Sequence, residues 1–301
     1  MTVLNGVVPV FLLVAVGALA RRLGWMDRPF SRQLNRVIYY LAVPALLLRL
    51  LGVEREGSVS LEVIAAVAIT TLLVGAAGSL LAAALRLPRK RFGVLVQASV
   101  RGNLVFMAFP VIYAAGGDRA LSLAALLAAV LIPVQNLIAV GALGAASGYR
   151  GWRLATLVVL NPIVLGVAAG VAWGAAGLVA PRWLDTFLEL LGSIAMPGAL
   201  LTVGAQLEVA GLRARIGESL AAAALKLGLS PALGLVALTL LGIGGTERLV
   251  ALLLLAAPTA VASTVVAQEM GGDVEYAGAL VMTSTLCAFP AFILWGLIAA
   301  P

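Results

Sequence analysis

The chain has 301 residues, 62% of them hydrophobic and 11% charged, with a mean hydropathy of +1.11 and a net charge of +7. A water-soluble domain carries about 25% charged residues, so this composition excludes one and points to an all-α polytopic membrane protein. With no histidine and one cysteine, Cys287 in an apolar run, a disulfide framework and a His/Cys metal cluster are excluded too.

Crossing a bilayer takes about 20 apolar residues per helix. Charge-free runs predict ten spans, roughly at 4–21, 34–53, 59–85, 92–115, 119–146, 154–179, 187–207, 217–242, 248–269 and 277–299. The first has no basic residues before it and Arg21-Arg22 after it, the reverse of a cleaved signal peptide, so residues 1–20 read as a span. The second is interrupted by Asn35, Arg36 and Arg49. Alternate loops hold thirteen Lys and Arg, from Arg21 and Arg22 to Arg213 and Arg215, against five on the other side. The positive-inside rule puts the thirteen in the cytoplasm and both termini outside, an arrangement that ten spans satisfy. These charges sit in short loops rather than on one face, so the partner is a lipid bilayer and not nucleic acid.

Four landmarks recur. Gly116-Gly117-Asp118 returns as Gly271-Gly272-Asp273 at an offset of 155, and the same offset sets Asn103 opposite Pro258-Thr259. Leu41–Leu47 resembles Ile194–Leu200 at 153, and Pro133 matches Pro290 at 157. Two five-span halves follow, residues 1–148 and 149–301. Five is odd, so the second half enters from the opposite side as an inverted repeat.

The stretch Arg101–Pro110 places a charge, a glycine and an amide within an apolar run. Gly102 and Pro258 are helix breakers at matching places in the two halves. If both helices unwind at mid-membrane and cross there, freed N–H groups and half-helix N-termini would favour an anionic substrate. Asn103, Gln135, Asn136, Thr259, Ser263 and Thr264 supply neutral polar groups for such a site. For Ser263 and Thr264, interhelical hydrogen bonding worth about 0.6 kcal/mol each is an equal alternative. Arg101 would attract an anion or neutralise a helix C-terminus. Lys226, about two turns inside the eighth span, either has a partner or a wet cavity there or snorkels to the cytoplasmic surface. No carboxylate pair lies at mid-membrane, though proton coupling through Glu269 or Glu218 stays open. With no nucleophile–base pair and no metal cluster, an enzyme is not expected, nor is a cofactor.

Several of these motifs together resemble the auxin efflux carrier family. They are Arg101-Gly102-Asn103 with Phe109-Pro110, Asn161-Pro162-Ile163, Ala195-Met196-Pro197 with Gly204-Ala205-Gln206-Leu207, Lys226-Leu227, and Pro258-Thr259-Ala260 running to Gly271-Gly272-Asp273. The family contains plant PIN proteins and bacterial carriers assigned to malonate and related acids, and the resemblance spans the whole chain. It implies a bile acid/sodium symporter-like fold, a 5+5 inverted repeat of ten transmembrane helices with crossed, broken helices 4 and 9. Helices 1, 2, 6 and 7 would form a scaffold that homodimerises, and helices 3–5 and 8–10 a transport domain. In the plant members an Asn on helix 4 and a Gln on helix 5 line the anion site; Asn103 and Gln135 match them. The plant proteins have proline where this chain has Gly102. They also carry a polar residue after the helix-2 proline, where this chain has leucines, which counts against auxin itself. Their long cytoplasmic loop has no counterpart. The implied function is secondary transport of a small organic anion, an auxin-like or dicarboxylic acid, by elevator-type alternating access in the inner (plasma) membrane. Sodium-coupled symport of a bile-acid-type anion is the alternative.

Overall fold

The computed structural model describes residues 2–53, 59–147, 161–207 and 215–299, and every named element among them is a helix. The chain forms α1 (Thr2–Arg22), α2 (Arg28–Val37), α3 (Val43–Val53), α4 (Leu61–Ala84), α5 (Arg89–Val100), α6 (Phe109–Ser147) and α7 (Pro162–Ala175). There follow α8 (Arg182–Ser193), α9 (Ala195–Ala205), α10 (Ile216–Ala224), α11 (Ser230–Leu240), α12 (Gly245–Leu255), α13 (Ala262–Glu269) and α14 (Val274–Ala299).

Six helical runs among the described residues are long and apolar enough to cross a membrane: Arg28–Gly52, Leu61–Ala84, Leu104–Gly144, Arg182–Ala205, Ile216–Leu240 and Val274–Ala299. The protein is therefore a multi-pass membrane protein. The expected run at 248–269 is divided between α12 and α13, while those at 92–115 and 119–146 meet in Leu104–Gly144. The start of the expected run at 154–179, and most of the loops before it and at 208–214, lie outside the described residues.

Side chains set the helix starts. Asp27 accepts the Phe30 amide at 2.8 Å, Asn161 the Ile163 amide at 2.9 Å and Asp273 the Tyr276 amide at 3.0 Å, each filling a donor that the first turn leaves open. Three π-helical turns, Ile38–Ala42, Leu104–Ala108 and Leu225–Leu229, each end two residues before a proline: Pro44, Pro110 and Pro231. A proline ring clashes with the carbonyl four residues back, and a wider turn relieves that clash without ending the helix. The recurrent Gly-Gly-Asp loops turn on glycines at positive φ, Gly117 at 66° and Gly271 at 70°.

The chain divides into two compact units. The first comprises Met1–Val59, Val105–Ala129 and Thr156–Leu207. Its helices touch backbone to backbone. A Cβ on Gly17 would meet the Leu201 carbonyl and one on Gly204 the Val14 carbonyl, which locks α1 onto α9. Gly170 and Gly174 sit at 2.9 and 2.8 Å by the same measure from the carbonyls of Leu47 and Leu51, locking α7 onto α3. Small residues let helices gain dispersion contacts where lipid offers no hydrophobic drive. Arg49, the charge that interrupts the second expected span, pairs with Asp185 at 2.7 Å and Glu189 at 3.5 Å on α8.

The second unit comprises Ser60–Leu104, Val130–Ala155 and Glu208–Pro301. One part of its core packs Val94, Leu95, Ala98, Leu143, Ala267, Tyr276 and Leu280 together. At the edge of that cluster Asp273 accepts Arg91 at 2.9 Å and Arg215 at 3.0 Å, and both guanidinium groups lie within 5.7 Å of the Tyr276 ring centre. Burial opposes ionisation of Asp273, but the Tyr276 amide and the two arginines outweigh it and hold the carboxyl below its ordinary range.

Candidate functional site

Within the second unit two helices stop where two extended stretches meet. At the end of α5, Arg101 leaves helical geometry (φ −79°, ψ 95°) while its amide still reaches the Gln97 carbonyl at 2.8 Å. α12 ends at Leu255, three residues before Pro258, which has no N–H to continue a helix. Gly102 and Thr259 then form an antiparallel bridge. The Asn103 amide donates to the Pro258 carbonyl at 2.7 Å and the Ala260 amide to the Arg101 carbonyl at 2.9 Å. A side chain at position 102 would crowd this meeting. A Cβ there would stand 2.9 Å from Leu104 Cδ2, 3.3 Å from Ala257 Cβ and 3.3 Å from Lys226 Nζ.

In such a bridge the two central residues turn their own N–H groups outward. Gly102 donates to Gln135 Oε1 at 3.1 Å, and Thr259 donates to Ser284 Oγ at 3.0 Å. Side chains also donate to three carbonyls around the break, two of them at the helix C-termini. Ala98 accepts the Thr259 hydroxyl, Leu255 accepts Lys226 Nζ and Ser263 accepts Gln97 Nε2, all at 2.8 Å. The expected freed amides are thus not free: those of Gly102, Asn103, Thr259 and Ala260 all have protein acceptors. Buried backbone cannot stay unpaired where water is excluded, so the fold supplies the missing partners itself.

Side-chain atoms are what remains. Asn103 is 6% exposed, and its Nδ2 has no hydrogen-bond partner. Gln97 Oε1 and Ser263 Oγ, also buried, likewise have none. Gln135 has committed its oxygen to Gly102, so its NH₂ is the part of the side chain left to donate. Pro258 takes part through its carbonyl, Thr259 through both its amide and its hydroxyl. Arg101 is half-buried and contributes its carbonyl to the pairing, and Asn136 follows Gln135 on α6, half-buried. Thr264 spends its hydroxyl on the Val261 carbonyl at 2.9 Å, a local bond.

Lys226 corrects the snorkelling alternative. The residue is 1% exposed, and its Nζ donates to the Leu255 carbonyl, an acceptor that the end of α12 leaves open. Its charge inside an apolar run was the signal in the sequence, but its destination was not. Gln97 and Ser284 had no comparable signal, since single polar residues in spans are common.

A family model described as "Membrane transport protein" matches residues 2–143 and 154–296. The chain is 29% identical over 299 residues to a protein of Rhizobium meliloti (strain 1021) named "Putative malonate transporter", covering 93% of this chain and 90% of that one. It is 25% identical to an uncharacterized transporter of Methanothermobacter thermautotrophicus, covering 97% of each. An uncharacterized transporter of Methanocaldococcus jannaschii is 22% identical, covering 95% of this chain and 96% of the other. With nearly its whole length matched, the chain belongs to the membrane transport protein family, that of the auxin efflux carriers.

Proposed function

We propose that the protein is a secondary carrier that exports or exchanges a small organic anion, with malonate the first candidate. The buried Asn103 Nδ2, a donor without an acceptor beside the Gly102–Thr259 bridge, carries this reading. A carboxylate oxygen is the acceptor that it lacks. Gln135, through its NH₂, and the buried Ser263 hydroxyl complete the proposed site, with Asn136 and Arg101 at its edge. An amide binds a carboxylate without a permanent counter-charge, so release stays fast. The printed name of the Rhizobium relative supports the substrate class.

The same reading takes the chain as ten spans in a 5+5 inverted repeat, residues 1–148 and 149–301, with spans 4 and 9 broken and crossed at the bridge. Two observations support it. Ala98 and Leu255, whose carbonyls each take a side-chain donor, are separated by 157 residues, the offset of Pro133 and Pro290. The close pairs α1–α9 and α3–α7 join span 1 to 7 and span 2 to 6, the exchange that an inverted repeat requires. In this scheme helices 1, 2, 6 and 7 form a dimerising scaffold, and helices 3–5 and 8–10 carry the anion by an elevator-type movement. The protein lies in the inner (plasma) membrane with both termini outside. Sodium-coupled symport is the weaker reading, because the Leu255 carbonyl already accepts Lys226 Nζ and is not open to a cation.

Counterflow of labelled malonate into liposomes holding the purified protein tests the proposal. The parent accumulates label at equal rates in sodium and in choline, while folded Asn103→Ala and Gln135→Ala fall to the level of empty liposomes. Parent-like rates in both variants would sink the site, and a strict need for sodium would favour symport.

A further inference from the structure

We propose that Ser284 is a positioning residue for the anion site, holding the Thr259 amide so that the paired backbone keeps Asn103 in place. The inference rests on the carrier reading above. Around the Gly102–Thr259 bridge the hydrogen bonds are related by an approximate two-fold: Asn103 to Pro258 answers Ala260 to Arg101, and Gly102 to Gln135 answers Thr259 to Ser284. Gln135 and Ser284 therefore do the same job, each accepting the outward amide of one stretch. Gln135 matches a family site residue, whereas nothing in the sequence marks Ser284. The 157-residue offset would set Gln135 against Phe292, two turns further along α14.

The Ser284 hydroxyl is oriented for this task. It is 1% exposed, donates to the Val281 carbonyl at 3.0 Å and so turns a lone pair toward the Thr259 N–H, also at 3.0 Å. Val281 also accepts the Thr285 hydroxyl at 2.8 Å, so removing the Ser284 hydroxyl leaves that carbonyl served. The group left unpaired is the Thr259 amide. Thr259 in turn holds the last turn of α5 through its hydroxyl on Ala98, and its neighbour Pro258 holds the Asn103 amide at 2.7 Å. Ser284 never touches the anion in this arrangement. It acts through Thr259 and Pro258 on the backbone from which the Asn103 side chain extends.

The test compares full-length parent, Ser284→Ala and Ser284→Thr by amide hydrogen exchange and by binding of labelled malonate. In Ser284→Ala, exchange should quicken about tenfold over residues 256–263, the scale of one unpaired buried amide. It should also quicken over 100–104, and malonate affinity should fall about tenfold at unchanged stoichiometry. Ser284→Thr, which restores the hydroxyl, should recover both. Unchanged exchange over 100–104, or a loss of malonate stoichiometry without loss of affinity, overturns the proposal. If the parent itself binds no malonate, the substrate reading fails while the exchange comparison still decides the role of Ser284. Should Ser284→Ala not fold, Ser284→Cys, a weaker acceptor of similar size, gives the same exchange comparison.

Discussion

Replacing Asn103 with leucine removes a buried amide while keeping the number of side-chain heavy atoms. The backbone bond from Asn103 to Pro258 survives the change, so the bridge remains. What disappears is Nδ2, a buried donor with no partner. An unsatisfied buried polar group costs about 1–3 kcal/mol, so the empty variant should be more stable than the parent by that amount. At about 2 °C per kcal/mol for a chain of this size, its unfolding midpoint should rise by about 2–6 °C. Malonate reverses the order. At a hundred times its Kd a ligand stabilises the folded state by about 2.7 kcal/mol, or about 5 °C here, and only the parent should gain it. Thermal unfolding with and without malonate reads both effects in one experiment. A variant that is less stable when empty and still shifts with malonate would make Asn103 a structural residue and not a ligand-binding one. A site that spends stability on an unpaired donor is expected where binding is the selected property.

Three further outcomes follow from the geometry. Gly170→Ala would place a Cβ 2.9 Å from the Leu47 carbonyl, about 0.5 Å inside ordinary contact, and backbone cannot yield as a side chain tip can. It should cost about 1–3 kcal/mol, read as a lower unfolding midpoint, and an unchanged midpoint would contradict the close α3–α7 packing. Asp273 has a carboxyl held below its ordinary range, so its contribution to stability is present above the unfolded carboxylate pKa and is lost as pH falls through the folded value. Asp273→Asn should flatten that acid-side loss in an unfolding series from neutral to acid pH, and a parent-like slope would argue against it. In a Cys287→Ser background, a cysteine at Arg89 should react with an impermeant thiol reagent only from the cytoplasm, and one at Arg182 only from outside. The reverse labelling would invert the topology.

The sequence marked the place better than the parts. Gly102, Asn103, Pro258 and Thr259 stand out because helix breakers and polar groups are costly in an apolar run, and their recurrence pointed to one locus. The function of those groups could not be read, since it depends on pairing between stretches 155 residues apart. Thus the amides expected to face a ligand turn out to be bonded to Gln135, Pro258, Ser284 and Arg101. Lys226 was visible as a charge out of place, but only the fold sends it to the Leu255 carbonyl rather than to the surface. Ser284 looked like any hydroxyl on an apolar helix, because such groups usually bond back to their own helix, as this one also does. Gly17, Gly170 and Gly204 gave no hint of which helices they join, for small residues mark an interface without naming its partner.

In the proposed site an anion sits at the Gly102–Thr259 bridge on the side chain of Asn103. An experimental structure of the full chain with malonate bound decides whether it does. A carboxylate oxygen about 2.7–3.2 Å from Asn103 Nδ2, with the bridge intact, is the expected result. Malonate bound elsewhere, with Asn103 Nδ2 still unpartnered, would rule the site out.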